Sequence, residues 1–298
     1  MARKRRGTPI NGWLIIDKPA GMTSAAAVAR VRRITNAAKV GHAGTLDPMA
    51  TGVLPMALGE ATKTVAYAMD SLKTYRFTVR WGEARDTDDA EGEITETSDV
   101  RPDGAAIRAA LAGFTGEIAQ APPSYAAIKV DGERAYDLAR RGRPVALAAR
   151  PVFVDRLELI AVVDRDRADF EMRCGKGTYV RALARDLARR LGTVGHVVKL
   201  RRTAVGKFDE ADAISLDNLA ALGHSAAPFE HVHPVETALA DIPALAVTEN
   251  QAERLKSGQA VHVLHSPPGL VRVAVGDRLV ALAEVRGENV HPVRVFNI

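Results

Sequence analysis

The stretch TYRFTVRWG (Thr74–Gly82) alternates without a slip: Tyr75, Phe77, Val79 and Trp81 fall on one face, Arg76, Thr78 and Arg80 on the other. A period of two over that length is the mark of a strand with one face buried and one wet. ADFEMRC repeats the pattern through Phe170, Met172 and Cys174, and ARPVFVDRLELIAVV reads as a further strand. NGWLIIDK is a strand ended by Pro19-Ala20-Gly21, after which Thr23 or Ser24 caps a helix over SAAAVARVRRIT, with Val28, Val31 and Ile34 on one face. EATKTVAYAMDS reads as one short helix carrying Lys63, and DGAAIRAALAGFTG as a helix ending at Gly113. The clearest helix is TYVRALARDLARRLG: Val180, Leu183, Ala184, Leu187, Ala188 and Leu191 share a face, Thr178 is the expected N-cap, and Gly192 stops it.

Two regions stand apart. PPSYAAIKVDGERAYDLARRGRPV, with two prolines, an expected Asp131-Gly132 turn and a basic helix, reads as an excursion from the sheet. A composition break over about Gly223–Pro243 precedes GLVRVAVGDRLVALAEVRGENVHPVRVFNI, three short alternating strands with a Gly276-Asp277 turn. The division expected is a large domain over 1–240 and a small β-rich one over 241–298, which 298 residues can accommodate.

Hydrophobic residues at 47% and charged residues at 26% describe a soluble globular chain. No run approaches the ~18 apolar residues of a membrane span. The basic start MARKRRG runs into Thr8-Pro9-Ile10-Asn11 rather than an apolar stretch, so no secretory signal is read there. One cysteine, Cys174, gives neither a disulfide framework nor a CxxC metal site. The expected setting is the cytoplasm. Lysine and arginine total 41 against 36 acids. The basic clusters at Arg3–Arg6, Arg140–Arg143 and Lys199–Arg202 tilt the reading toward a polyanionic partner. Aromatic content of 5% argues against a surface built mainly for stacking on single strands.

The stretch KVGHAGTLDPMATGVLP (Lys39–Pro55) holds three glycines and two prolines among apolar residues, the composition of a packed loop. Its one carboxylate, Asp47, precedes Pro48 and is thereby kept extended, while Gly44 and Gly52 permit close approach by another chain or a ligand. An ordinary Asp-Pro turn accounts for these residue types equally well, and a lone carboxylate serves as a nucleophile rather than as half of an acid–base pair. Arg181, in the first turn of the clearest helix, opposes the helix dipole, a placement easier to understand with a carboxylate opposite. GKGT (Gly175–Thr178) lacks the glycine that a phosphate-binding loop needs, since position 170 is Phe. HVH (His231–His233) has no further ligands nearby, and Cys174 reads as core.

GWLIIDKPAGMTS followed by KVGHAGTLDPMATGVLP closely resembles the N-terminal signature of bacterial tRNA pseudouridine synthases of the TruB family. YRFTVRWGEARDTDDAEG, PPSYAAIKVDGERAYDLARRG, RCGKGTYVRALARDLARRLG and HVVKLRRTAVGKF continue the match in the same order. The resemblance implies an α+β pseudouridine synthase fold with a central mixed, largely antiparallel sheet. It also implies an RNA-gripping insertion over about 122–150 and a small PUA-like C-terminal domain. It implies isomerisation of uridine 55 in the tRNA T loop, without metal or cofactor, and a tRNA-folding role is compatible with it. No obligate protein partner is expected, and a monomer suffices.

By the same resemblance Asp47 is the catalytic aspartate, Tyr75 stacks on the target base and is a candidate for proton transfer, and Arg181 pairs with Asp47. His42 supports the flipped-out loop conformation, Tyr179 and Leu200 line the uridine pocket, and Lys63 is a basic residue near the site. The base must leave its stack to be turned. Asp47 must remain ionised although buried, with Arg181 offsetting the loss of water. A guide-RNA-dependent enzyme of the archaeal type would lack the insertion, and a hydrolase built on Asp47 would need a second carboxylate or a metal set.

Overall fold

The computed structural model describes residues 7–126, 128–130, 132–134, 138, 141, 147–223, 227–264 and 266–298. Among these, strands β1 (Gly12–Lys18), β2 (Val40–His42), β3 (Thr51–Leu58), β4 (Lys73–Trp81), β5 (Glu83–Arg85), β6 (Ile94–Thr97) and β7 (Gly116–Gln120) come first. The pair β8 (Lys129–Val130) and β9 (Glu133–Arg134) stands alone, and β10 (Arg150–Val162), β11 (Arg167–Cys174), β12 (Gly195–Val205), β13 (Phe208–Asp209), β14 (Ile214–Ser215) and β15 (Val232–His233) follow. Helices α1 (Ser24–Thr35), α2 (Val65–Asp70), α3 (Gly104–Leu111), α4 (Val180–Arg190) and α5 (Leu216–Ala221) lie between them.

The main sheet runs β14-β1-β3-β12-β4-β11-β10-β7, with β2 and β15 joining β3 and β1. Its pairings are antiparallel except β1 with β14 and β3 with β12. One face of this mixed sheet packs Leu14, Ile16, Leu54, Phe77, Phe170 and Met172 against α1, α3 and α4 through Val31, Ile107, Leu183 and Leu187. The α+β class with a largely antiparallel sheet therefore holds.

A second sheet follows, β16 (Ala244–Ala246), β18 (Gly269–Val275), β19 (Arg278–Arg286), β20 (Asn289–Val295) and β17 (Val261–His262) in that spatial order. The three expected strands and their Gly276-Asp277 turn are present. The helix Glu249–Lys256, opened by a Thr248/Gln251 capping box, precedes the alternating segment and was not foreseen. This sheet has its own core of Val261, Val271, Val273, Val280 and Val285. It also shares one with the main sheet: Trp13, Ile15, Val53 and Phe208 pack with Leu279, Leu282 and Phe296.

Several expectations are corrected. Lys39–Pro55 is not one long loop: its ends are the hairpin strands β2 and β3, and the loop proper is 43–50. Pro55, inside a central strand, sits where β3 has no strand partner on one edge, between β12 at Thr51–Gly52 and β2 at Met56–Leu58. The expected helix at Glu60–Ser71 is a 3-10 turn, Gly59–Lys63, followed by α2. Of the basic clusters, Arg3–Arg6 lies outside the described residues, as do Arg140 and Arg143. Arg202 is turned inward and only 1% exposed, so Lys199–Arg202 is not a solvated stripe. Asp131 of the expected turn also lies outside the described residues.

Candidate active site

Asp47 stands at the head of a turn closed by Ala50 N–H donating to its carbonyl at 3.1 Å. The Asp-Pro turn and the presented carboxylate are thus the same feature. Four groups fix the loop. Ser24, the first residue of α1, bonds both the N–H and the C=O of Leu46, at 2.9 and 3.1 Å. The backbone N–H of Gly21 donates to the Pro48 carbonyl at 2.9 Å. Lys18 Nζ reaches the same carbonyl at 3.2 Å and those of Pro19 and Met22 at 2.8 Å. Arg202 donates to Gly44 O at 3.1 Å and to Val53 O at 2.8 Å.

Gly52, at φ +101°, is what lets β12 come that near: a Cβ there would stand 2.2 Å from the Arg202 carbonyl oxygen. The close approach foreseen for an outside partner is made by the protein itself. Gly44, at φ +93°, faces the Arg202 guanidinium.

Arg181 is 3% exposed, at the second position of α4. Its Nε donates to Asp47 Oδ2 at 2.9 Å, Nη1 to Thr87 O at 2.7 Å and Nη2 to Tyr125 O at 3.1 Å, with Asp89 Oδ2 at 3.5 Å from Nη1. One guanidinium thus ties four chain segments together, and two carboxylates at the start of α4 answer a cation that the helix dipole disfavours. The bond to Asp47 is single rather than bidentate, and the Asp47 side chain is 33% exposed, less buried than the sequence suggested. Its other oxygen carries no bond to Arg181.

Tyr75 lies on β4; desolvation pushes its phenol up, with Arg202 pulling the other way. Burial lowers the His42 imidazole, helped by Arg202, and its Nδ1 is buried with no hydrogen-bond partner among the described residues. Tyr179 is the N-cap residue of α4, one place later than expected, and its phenol is pushed up by desolvation against the pull of Arg150. Leu200 is 7% exposed on β12, and its carbonyl accepts from Thr51 at 3.5 Å.

Lys63 is not gathered here. Its ammonium binds Glu60 at 2.6 Å and the Val295 carbonyl at 2.8 Å, pinning the second sheet to the end of β3. Cys174 is core, with burial pushing its thiol up to about 12. His233 packs edge-on to Phe208, and among the described residues no group of three or more His, Cys, Asp or Glu is placed to hold a metal ion.

Sequence reasoning missed three residues. Arg202 was hidden in a basic run, where only the alternation of β12 separates it from outward Arg201, which pairs with Asp17 and Glu210. Lys18 looked like a strand end, yet it is fully buried; desolvation lowers its ammonium to about 8, with Asp47 opposing. Asp89 stands among several acids in DTDDAEGE, where residue type alone singles out none of them.

Residues 32–180 match the model of the TruB family pseudouridylate synthase N-terminal domain, and 181–240 that of the tRNA pseudouridylate synthase B C-terminal domain. The boundary between the two falls within α4, which is continuous here. A tRNA pseudouridine synthase B of Rhodospirillum rubrum is 54% identical over 100% of both chains. That of Bradyrhizobium diazoefficiens is 57% identical over 99% of this chain and 88% of its own. Among solved structures, the archaeal box H/ACA sRNP Nop10-Cbf5 complex aligns at a TM-score of 0.74 with 24% identity, over 100% of this chain and 93% of that one, a likeness of fold. The chain belongs to the TruB family of pseudouridylate synthases.

Proposed function

We propose that this enzyme isomerises uridine 55 of the tRNA T loop to pseudouridine, with Asp47 as the acting carboxylate on a base flipped out of its stack. The observation that carries the reading is the Asp47–Arg181 pair: a carboxylate in a braced loop, one oxygen held at 2.9 Å and the side chain still a third exposed. The reaction breaks N1–C1′ and makes C5–C1′; the proton of C5 is lost and N1 ends protonated. Attack on C6, attack on C1′ and removal of the 2′ proton all require an ionised carboxylate, and Arg181 holds one of its oxygens in place.

Tyr75 stacks on the base and passes protons through its hydroxyl, with Arg202 against it. Tyr179 and Leu200 wall the pocket, and His42 holds the loop of the RNA as a neutral donor and acceptor. The work is divided between a catalytic part over 1–240, with the insertion at about 122–150 gripping the T stem-loop, and a PUA-like part over 241–298. The enzyme acts on tRNA in the cytoplasm as a monomer, without an obligate protein partner, metal or cofactor, and assists tRNA folding. No described helix is long and apolar enough to cross a membrane.

Tritium release from a T-stem-loop minihelix carrying 5-labelled uridine at position 55 tests this, beside a minihelix labelled elsewhere. Release from position 55 alone is expected. For Asp47→Ala, release falls about 10³-fold or more while minihelix affinity stays within about threefold. Substantial turnover by Asp47→Ala sinks the assignment of the carboxylate, and release from the other uridine sinks that of the substrate.

A further inference from the structure

The start of α4 carries both Tyr179 and Arg181, yet Tyr179, its N-cap residue, makes no side-chain cap. The cap comes from elsewhere. Gln120, the last residue of β7 and 1% exposed, points its amide at the Tyr179 backbone. Tyr179 N–H donates to Gln120 Oε1 at 2.8 Å, and Gln120 Nε2 donates to Tyr179 O at 3.1 Å. A side-chain amide carries both a donor and an acceptor, so it answers both backbone groups of a single residue, as the Ser24 hydroxyl does for Leu46.

Directly across the ladder, Gln120 pairs with Arg150, the first residue of β10. The Arg150 guanidinium lies over the Tyr179 ring at 5.6 Å from its centroid and donates to Gly177 O at 3.2 Å. One cross-strand pair therefore fixes the tyrosine twice: Gln120 holds the backbone and Arg150 holds the ring and the turn before it. Helix rise and pitch place Arg181 two residues further on, so any shift of Tyr179 is passed to the guanidinium bound to Asp47.

We propose that Gln120 and Arg150 are positioning residues that set Tyr179 in the base pocket and, through the first turn of α4, Arg181 against Asp47. Loss of the Gln120 amide frees the helix start without removing any group that touches RNA phosphates, so it slows the chemical step more than it weakens binding. Loss of Arg150 frees the ring but leaves the backbone bonds, and has the smaller effect. This rests on Tyr179 and Arg181 serving the reaction proposed above.

The test uses the full chain with Gln120→Met, which keeps the length of the side chain and removes the amide. Hydrogen exchange over residues 176–183 is expected to rise by about tenfold or more, with the rest of α4 unchanged. Single-turnover pseudouridine formation in the T-stem-loop minihelix is expected to fall about 10- to 100-fold at a Kd within about threefold of the parent. Parent-like exchange at the start of α4 overturns the proposal whatever the activity. So does a parent-like single-turnover rate, or a loss confined to Kd. Should Gln120→Met not fold, half-buried Arg150→Gln carries the same test: a rate lowered about threefold or more at unchanged Kd supports it, and a parent-like rate overturns it. A parent enzyme without turnover on the minihelix speaks against the proposed substrate, and the exchange result still decides the seat of Tyr179.

Discussion

The two halves of the main sheet are built differently. β1 and β3 are buried on both faces, with Leu14 and Ile16 toward the helices and Trp13 and Ile15 toward the second sheet. β4, β11 and β10 are covered on one face only, and the other carries exposed Arg76 and half-exposed Arg156, which pair at 3.0 and 2.6 Å with the Glu171 they cover. Along β10 even Phe153, Ile160 and Val162 are exposed, at 44%, 57% and 47%. The difference follows from what packs where: the second sheet covers only the first half. Asp47, the carboxylate proposed to act, lies between β2 and β3 in that doubly covered half, while the expected insertion falls between β7 and β10 in the other. Rigid support suits a group that must be placed to a fraction of an ångström, as the proposed reaction asks of Asp47.

The largest effect that would break this comparison is on stability. Phe296 is 1% exposed in the core that the two sheets share, so Phe296→Ala is expected to cost about 3–5 kcal/mol. Phe153→Ala, on the open face of β10, is expected to cost under about 1 kcal/mol. Denaturant unfolding of the two variants measures both. Equal losses would mean that the second sheet braces nothing in the first.

Next in size is Arg181→Lys, which probes the seam between the halves. Lysine keeps the charge but cannot send planar donors to Asp47, Thr87 and Tyr125 at once. A loss of about 10- to 100-fold in single-turnover rate is expected, with RNA affinity within about threefold. Affinity weakened about tenfold at a normal rate would move Arg181 from the chemistry to the RNA interface.

How much of this was legible depended on the range of the signal. α4 and β4 announce themselves by period, because each buries a single face. β2 and β3 did not, since Gly41, Gly52 and Pro55 are breakers in local terms. Their tolerance is tertiary: Arg202 closes on Gly52, and Pro55 sits in a gap of the ladder. The Asp47–Arg181 pair spans 134 positions: an arginine set against the helix dipole asks for a carboxylate opposite, and the family resemblance says which one. Arg202 and Lys18 were missed because buried cations are rare, so a basic residue is read as solvated. Thr178 was taken for the cap because a cap is sought within the local sequence, and Gln120, 59 residues away, supplies it.

The smallest effect expected is a pH dependence at the same seam. Asp88, at φ +59°, sits under α4 with Arg185 Nη1 3.0 Å from its carboxylate, and Arg181 and Asp186 nearby. Burial lifts its carboxyl to about 6, outweighing the two arginines. The folded state therefore binds this proton more tightly than the unfolded chain, whose carboxyl titrates at the ordinary 3.8. The stability it contributes is complete below that ordinary value and is lost as the pH rises through about 6. Asp88→Asn removes the titration and suits a left-handed backbone. Relative to the parent, the variant should therefore gain about 1 kcal/mol between pH 5 and pH 7, read from paired denaturant curves. A difference that stays flat across that interval would mean that the carboxylate is as well solvated, or as well paired with Arg185, as one on the open half of the sheet. The seam beneath α4 would then be no more buried than the face that carries Arg76 and Arg156.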